Sequence, residues 1–550
     1  MSLLVRSLCL ILALAATVAA QFSTFPAAEY FREQWVRAPL DMEIESVARL
    51  EDFLYDGKLE LSLRGFVELV IANNPDVSLQ KLAVYEARNG VERAFNPFDP
   101  NLSASFTSNR STTPSNDILQ GADVRSQLIQ RGGFTFDQTL QTGTNYSIGY
   151  TGTKTADNSQ FTNFNPSNTQ RLSFTIDQPL LRGRGRYIQR IPIMIAQSRL
   201  ELTEEQVRES IIQLLFQAEN DYWNAVNERE NLKVQQNSLE LARASLERSR
   251  RELELGAISP LDIYQPEQQF ATAQVRVTQA EYRLQQATDA VRRWIGADLD
   301  PAYRPTPIEL TEPVDPPVYT PTVDPEEAVA VALHNRPELE QTRRALQIDD
   351  YNIRDATNQL RPDLVLSGNY SAQGRGGNFF ERSLTGGSTG RFIPGGFPLA
   401  IDQLFQFTFP TYGFGLTLNL PLRNRRAAAD LSDATIQKKR DLFALRSDEQ
   451  RIRLEVVQAV AGVELSKATV QQATVALDFA QKRLDAEQKK YDLGVTTIFL
   501  LLTAQSDLVT AQSDLLSQTI AYRRSILSLL RATGELLRER GVVLTYPDQY

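Results

Sequence analysis

The stretch NNPDVSLQKLAVYEARNGVERAFNPFDPNLSAS, residues 73–105, is followed much later by NRPELEQTRRALQIDDYNIRDATNQLRPDLVLS, residues 335–367. The two stretches align without a gap and share an Asn-x-Pro start and a second proline near the end. Two further segments repeat in the same order: Gln178–Leu181 matches Leu420–Leu422, and Leu255–Ala257 matches Leu493–Val495. The chain therefore contains one supersecondary unit duplicated in tandem. The period is too long for a solenoid, which predicts two halves of one body.

The first twenty residues have the pattern of a secretory signal. Arg6 precedes an apolar core from Leu8 to Ala16, and Val18–Ala20 forms a small-residue cleavage site. The alternative is a membrane anchor, but the apolar run is shorter than the ~20 residues that a spanning helix needs. We expect residues 1–20 to be a signal peptide and residues 21–61 to be a polar N-terminal extension, to which the sequence assigns no function.

The composition argues against catalysis and against nucleic-acid binding. The formal net charge is −9, which is unfavourable for a polyanionic partner. Cys9, the one cysteine, lies inside the predicted signal, and His334 is the one histidine, so we expect no disulfide and no thiolate metal site. The glycine-rich Arg182–Gly185 lacks the Lys-Ser or Lys-Thr of a phosphate-binding loop. We predict neither enzyme activity nor a cofactor or metal.

Both halves contain strand-like alternation. Leu102, Ala104 and Phe106 alternate with small polar residues, and Leu364 and Leu366 do so in the second half. Further strand-like runs are Phe134–Leu140, Asn145–Thr151, Leu172–Ile176 and Phe405–Leu420. We predict a duplicated strand pair, with strands over about residues 101–178 and 364–422, and with glycine-, serine- and asparagine-rich loops at 111–131, 155–170 and 373–398.

Aromatic residues among Thr, Ser and Gly in these strands fit a transmembrane β-barrel whose apolar positions face lipid. The alternative is a soluble β-subdomain. A few strands per chain cannot close a conducting barrel, so several chains would have to share one.

Each half also encodes a long helical hairpin. Residues 187–254 and 426–492 are rich in Ala, Leu, Gln, Glu, Lys and Arg, and lengths of this order correspond to ~100 Å of helix. Apolar residues recur every seventh position, which indicates a coiled coil, with an ordinary helical bundle as the alternative. Each helix ends at a Leu-Gly pair, after which a second periodic helix returns. We predict hairpins over about residues 185–296 and 425–537.

These elements divide the chain into two structural repeats with a spacer. The first repeat covers residues 62–297 and the second covers residues 324–538. The proline-rich segment 298–323 reads as an extended connector, and residues 539–550 form a C-terminal tail.

The order of these elements resembles the TolC-type outer-membrane efflux protein family. The resemblance covers about residues 63–537, and it rests on the duplicated order and on the matching positions of the two Leu-Gly tips. It implies a homotrimer in which strands form a shared β-barrel in outer-membrane lipid and hairpins form an α-helical barrel in the periplasm of a Gram-negative-type cell. It also implies a periplasmic adaptor protein and an inner-membrane transporter as partners.

The resemblance assigns two sets of functional residues. The predicted adaptor-docking tips are Leu255, Gly256, Ala257, Leu493, Gly494 and Val495. The predicted periplasmic gate contains Leu500, Thr503, Tyr491 and Asp262. Alternatively, the tips are ordinary helix ends terminated by glycine, and Asp262 is only a charge on the tip surface.

The gate departs from the family pattern. Leu500 and Thr503 align with aspartates that form the narrowest ring in the best-known members, so we expect closure by dewetting at apolar residues rather than a cation-binding ring. Tyr491 and Asp262 are similar to the closing tyrosine and aspartate of the family, whereas Thr496 takes the place of the partner arginine.

The sequence therefore predicts an outer-membrane channel of a tripartite efflux or type I secretion system. An alternative function of a different kind is a periplasmic coiled-coil scaffold or adhesin without a pore. A third alternative is an autonomous diffusion porin. The sequence does not name the exported substrate.

Overall fold

The computed structural model describes residues 49–115, 121–256, 258–314, 323–382 and 388–544. The predicted signal peptide, residues 21–48 of the extension, Ala257 and residues 545–550 lie outside the described residues. The fold mixes long helices with antiparallel strands, in agreement with the predicted combination of these elements.

The elements follow one another as two unequal halves. The strands are β1 (Leu54–Tyr55), β2 (Lys58–Leu61), β3 (Asn101–Pro114), β4 (Val124–Thr139), β5 (Asn145–Asp157), β6 (Phe164–Pro179), β7 (Ile308–Leu310), β8 (Asp363–Arg382), β9 (Ser388–Ile393) and β10 (Phe409–Asn419). The helices are α1 (Leu63–Asn73), α2 (Pro75–Phe95), α3 (Arg186–Gln189), α4 (Ile191–Glu254), α5 (Tyr264–Trp294), α6 (Pro325–Asn335), α7 (Pro337–Gln359), α8 (Phe397–Phe405), α9 (Arg425–Asp492), α10 (Ile498–Ala532) and α11 (Leu536–Glu539). Two 3₁₀ helices cover Leu50–Phe53 and Asn96–Phe98.

The Asn-x-Pro motif marks the junction between two short helices in each half. In the first half the Asn74 side chain accepts hydrogen bonds from the backbone N–H groups of Asp76 and Val77, at 2.9 and 3.4 Å. Pro75 occupies the first turn of α2, where a missing N–H costs nothing. The motif thus ends α1 and starts α2.

Six long strands form one antiparallel sheet in the order β10-β8-β6-β5-β4-β3, and β9 pairs with the end of β8. A strand pair is the wrong number for the first half, because that half supplies four strands to the sheet, β3 to β6. The strand-like runs at residues 134–140, 145–151 and 172–176 do lie in β4, β5 and β6, except for Leu140. The predicted loops were also largely wrong. Residues 124–131, 155–157 and 164–170 lie within strands, as do residues 373–382 of β8.

The polar composition of these segments does not break the strands, because neighbouring strands satisfy their backbone groups. Gly132 of β4 lies opposite Gly152 of β5, which in turn lies opposite Gln170 of β6. The Gln170 side chain is buried and accepts a hydrogen bond from the Tyr150 hydroxyl at 2.7 Å. Glycine and glutamine here pair across strands, although their composition is typical of loops.

The strand register separates the sheet into an apolar and a polar face. One row of directly paired residues contains Leu102, Phe136, Ile148, Phe174, Tyr370 and Tyr412. The adjacent row, on the opposite face, contains Ser103, Thr135, Gly149, Ser173, Ser371 and Thr411. Since side chains alternate between faces along a strand, the apolar residues of the first row share one side of the sheet and the small polar residues of the second row share the other.

Two long hairpins extend from the sheet. Helix α4 has 64 residues and α9 has 68, which corresponds to ~100 Å each. Helix α4 contacts both α5 and α10, and α10 contacts α9. The four long helices therefore form a row in the order α5-α4-α10-α9, with α5 and α9 at its two ends. Among the described residues, none of the helices carries an apolar stretch long enough to cross a membrane.

The end of the N-terminal extension belongs to the main hydrophobic core. Strand β2 pairs with β1 and, in parallel, with β7 of the proline-rich connector. Leu59 and Leu61 are fully buried, and the Tyr222 hydroxyl of α4 donates to the Leu61 carbonyl at 2.9 Å. The same core includes Leu527 of α10, so it joins both halves.

A buried ion pair attaches the C-terminal segment to the first half. Glu219 of α4 is fully buried, and Arg540 donates to both of its carboxylate oxygens, at 2.7 and 2.8 Å. Bidentate geometry satisfies the carboxylate without water. The predicted C-terminal tail is therefore anchored at its beginning.

Replacement of Arg540 tests this anchor. Arg540→Met leaves the Glu219 charge buried without a partner, so we expect a loss of about 3–5 kcal/mol of stability. Thermal unfolding of the purified protein, followed by circular dichroism, measures the loss. The control Arg538→Met removes a side chain that is 69% exposed and should change stability by less than ~0.5 kcal/mol. Equal unfolding temperatures for the two variants would contradict the assignment.

Candidate functional site at the hairpin tips

Both long helices end at a glycine with a left-handed backbone. The φ angles are +69° at Gly256 and +72° at Gly494, a region that other residues enter only with strain. In the second tip the Gly494 N–H bonds to the Tyr491 carbonyl and the Val495 N–H bonds to the Lys490 carbonyl, both at 2.9 Å. This pattern closes the last turn of α9 and reverses the chain toward α10.

The tips present apolar side chains to solvent. Leu255 is 84% exposed in the first tip, and Leu493 and Val495 are 78% and 71% exposed in the second. Leu261, just after the first tip, is 75% exposed. Clustered exposed apolar residues at the end of a long projection are typical of a protein contact surface.

Asp262 lies in the turn of the first tip. Its carboxylate accepts a hydrogen bond from the Ser259 N–H at 3.2 Å, while its own N–H bonds to the Ser259 carbonyl at 2.9 Å. The hydrogen bond of the Tyr491 hydroxyl goes to a different carboxylate, that of Glu252. The structure therefore gives Asp262 a local role in shaping the tip.

Tyr491 belongs to a polar network that joins the ends of the two hairpins. Its hydroxyl donates to Glu252 of α4 at 2.6 Å. Arg248 of α4 lies over the Tyr491 ring, 4.8 Å from the centroid, and pairs with Glu252 at 2.9 Å. The same guanidinium contacts Asp492 of α9 at 2.8 Å. We call these four residues, Arg248, Glu252, Tyr491 and Asp492, the tip lock.

The charge states of the tip lock favour this arrangement at neutral pH. Burial and the hydrogen bond to Glu252 raise the pKa of Tyr491 to about 12, so its hydroxyl remains a donor. The hydrogen bond from Arg248 lowers the pKa of Asp492 below its ordinary value. The contact between Arg248 and ionised Asp492 is therefore fully present at neutral pH and is lost as the pH falls through that lowered pKa.

A second contact between the hairpins lies farther from the tips. Ser245 of α4 and Gln505 of α10 are both nearly buried, and the Gln505 amide donates to the Ser245 hydroxyl at 3.2 Å. Helix α4 thus contacts both helices of the second hairpin near its end.

The structure places Leu500 and Thr503 one turn apart near the start of α10. Leu500 is 44% exposed, whereas the following Leu501 and Leu502 are each 2% exposed and pack inside. The Thr503 hydroxyl donates to the Phe499 carbonyl of its own helix at 2.8 Å. This part of α10 therefore presents Phe499 and Leu500 as an exposed apolar edge.

Sequence reasoning missed Arg248 and Glu252. Both stand in a helix full of charged residues, so their type and spacing do not distinguish them from solvated charges. Thr496, which takes the place of the family arginine, donates to Glu487 at 3.2 Å within the second tip. The arginine of the tip lock comes from the other hairpin, and only the contact between the ends of α4 and α9 reveals it. The described residues contain no cluster of three or more His, Cys, Asp or Glu side chains suited to a metal ion.

Several solved structures share this fold. A membrane protein from Pseudomonas aeruginosa matches at a TM-score of 0.62 and 16% identity, over 91% of this chain and 100% of that one. The Campylobacter jejuni CmeC outer membrane channel matches at a TM-score of 0.58 and 16% identity, over 90% of both chains. The open state of the Neisseria gonorrhoeae MtrE outer membrane channel matches at a TM-score of 0.57 and 18% identity, over 86% of this chain and 89% of that one. No curated protein sequence matches the chain.

The family model described as outer membrane efflux protein matches residues 66–297 and 328–535. The two matched segments correspond to the two halves found from the internal repeat, with the proline-rich connector between them. This match confirms the resemblance drawn from the duplicated motifs and the Leu-Gly tips. The chain therefore belongs to the outer membrane efflux protein family.

Proposed function

We propose that three copies of this chain form an outer-membrane efflux channel that receives substrate from a periplasmic adaptor and an inner-membrane transporter. In this proposal the strands lie in the membrane, the hairpins line a tunnel and the tips contact the adaptor. The observation that carries it is the tip lock, a polar contact between the ends of two hairpins whose tips expose apolar side chains.

The tip lock has the strength expected of a reversible closure. The Arg248–Asp492 pair is partly exposed, with side chains 37% and 49% accessible, and solvent screening makes such pairs weak. The Tyr491–Glu252 hydrogen bond involves a carboxylate and is worth about 1.5–3 kcal/mol. Repeated in three copies, these contacts favour a closed state by several kcal/mol. A partner binding the tips can supply free energy of that size.

The apolar edge at Phe499 and Leu500 is our proposed barrier inside the tunnel. Three copies would bring three leucines toward the tunnel axis, where a narrow apolar ring opposes water and ions without binding them. This mechanism needs no carboxylate ring, in keeping with Leu500 and Thr503 at these positions.

Removal of the tip lock should open the channel. We expect Arg248→Ala and Tyr491→Phe each to raise the mean conductance of purified protein in planar bilayers severalfold, because each removes contacts between α4 and α9. The double variant should add little to the larger single effect, since the residues act as one network. Arg243→Ala, which removes an exposed pair with Glu240 on the same helix, is the matched control. Unchanged conductance in both lock variants would argue against this closure.

Leu500 variants test the apolar barrier and the channel itself. We expect low wild-type conductance, a severalfold increase in Leu500→Ala, and block by millimolar divalent cations only in Leu500→Asp, which creates a carboxylate ring. The recording uses purified, folded protein with each variant reconstituted under identical conditions. Absence of any conductance from correctly assembled protein would contradict the channel and favour a scaffold.

The tips should contact an adaptor in cells. A photoreactive amino acid placed at Leu255 or Leu493 is expected to form an adduct that mass spectrometry identifies as a periplasmic adaptor protein. The control position is Leu299, which is 56% exposed but lies after α5, away from the tips. Equal adducts from Leu299, or none from either tip, would argue against adaptor docking and leave a diffusion porin as the simpler assignment.

A further inference from the structure

The sheet has six long strands, besides the short β9 that pairs with the far end of β8, and it has two open edges. Among the described residues, β3 pairs only with β4 and β10 pairs only with β8. In a membrane the unpaired backbone groups of such edges have no water to bind, and each costs several kcal/mol. If the strands span the membrane as in the proposed function, both edges require partners.

We propose that β10 of one copy pairs with β3 of the next, so that three copies close a barrel of eighteen strands, six from each copy. A duplicated strand pair would supply four strands per copy and twelve in a trimer. The hairpin formed by β4 and β5 makes the difference, and it lies in the middle of the sheet with neighbours on both sides. This inference rests on the proposed function for the membrane setting and for the number of copies.

We call the pairing of β10 with β3 of the next copy the seam. The directions of the two edge strands are compatible with it. β3 runs away from the helical region, since it follows α2, and β10 runs toward it, since α9 follows directly. The two edge strands of neighbouring copies would therefore meet antiparallel, like every other pair in the sheet. A closed barrel made this way leaves no edge.

The lengths and faces of the edge strands define a register. If Asn101, the first residue of β3, lies opposite Asn419, the last of β10, all 11 residues of β10 have partners on β3. Apolar residues then meet apolar residues, with Leu102 opposite Leu418 and Phe106 opposite Phe414. Small polar residues meet on the other face, with Ser103 opposite Thr417.

This register also gives an ordinary barrel tilt. Within the sheet the row of pairs that starts at Leu102 ends at Tyr412, which is six residues from Leu418. A shift of six residues over six strands corresponds to a strand tilt of ~35°, within the usual range for barrels. At that tilt eighteen strands enclose roughly 34 Å between opposite backbones, against roughly 22 Å for twelve.

The exposure of apolar side chains supports a second copy as the occupant of each edge. Phe414 on β10 and Phe106 on β3 are 89% and 72% exposed, whereas Phe134 and Phe174 on inner strands are 46% and 40% exposed. A neighbouring strand is what covers the inner residues. The edge residues therefore lack the cover that one more strand on each side would supply.

The helices below each edge carry matching unpartnered residues. Helix α9, which continues from β10, exposes Phe443, Leu454 and Leu465 along its length. Helix α5, at the other end of the helix row, exposes Val275 and Tyr282. The seam between strands thus continues as an apolar contact between helices, as expected of one interface repeated around a ring.

Paired cysteines test the seam directly. Ser103→Cys and Thr417→Cys are combined in full-length protein carrying Cys9→Ser, which removes the one native cysteine. Copper-catalysed oxidation of the membranes should convert most of the protein to a covalent trimer on denaturing gels, and reduction should return it to monomer. Asn101→Cys with Asn419→Cys is a second pair in the same register, in case the first variant assembles poorly.

Two control pairs define the face and the register. Ala104→Cys with Thr417→Cys places the thiols on opposite faces, and Ser105→Cys with Thr417→Cys is displaced by two residues. We expect both to cross-link at least tenfold more slowly than Ser103→Cys with Thr417→Cys. Faster cross-linking of the displaced pair would overturn the register.

Bilayer conductance of the same samples separates this inference from the proposed function. A conducting trimer in which neither same-register pair cross-links would overturn the seam and leave the channel intact. Cross-linked trimers without conductance would support the seam and overturn the channel.

Discussion

The structure depends on one constraint: a sheet that is apolar on one face and open at both edges is incomplete as a single copy. Backbone N–H and C=O groups at a lipid-facing edge need partners, and in the proposed assembly another copy of the same sheet would supply them in the correct direction. The position of the sheet sets the position of the long hairpins, because β6 leads through the short α3 into α4 and β10 leads into α9. A ring of sheets therefore places the hairpins in a ring as well.

The two ends of such an assembly differ in the strength of their closure. At the sheet, continuous backbone pairing would make a fixed wall. At the tips, the two hairpins of a copy meet through a few polar contacts, chiefly Tyr491 with Glu252 and Arg248 with Asp492. Each of these contacts is weak compared with continuous backbone pairing between strands. A rigid sheet is suited to a permanent pore, and weakly joined tips are suited to regulated opening.

Much of the helical architecture could be predicted from the sequence, and much of the sheet could not. Heptad spacing and a glycine after each long helix predict the hairpins, because both signals are local. The strands of a barrel with a polar interior carry Ser, Thr, Gly and Gln on one face, which is the composition of loops, so residues 124–131 and 164–170 were misassigned. Leu500 was predicted through family resemblance, whereas Arg248 and Glu252 became recognisable only from the contact between the ends of α4 and α9.

The most direct test of this account is a cryo-electron microscopy map of the detergent-extracted, full-length protein. The account predicts a threefold ring in which each copy contributes six strands to one closed barrel, with β10 beside the next copy's β3 and the long hairpins continuing below it. A monomer with a free sheet, or a ring with only four barrel strands per copy, would contradict it.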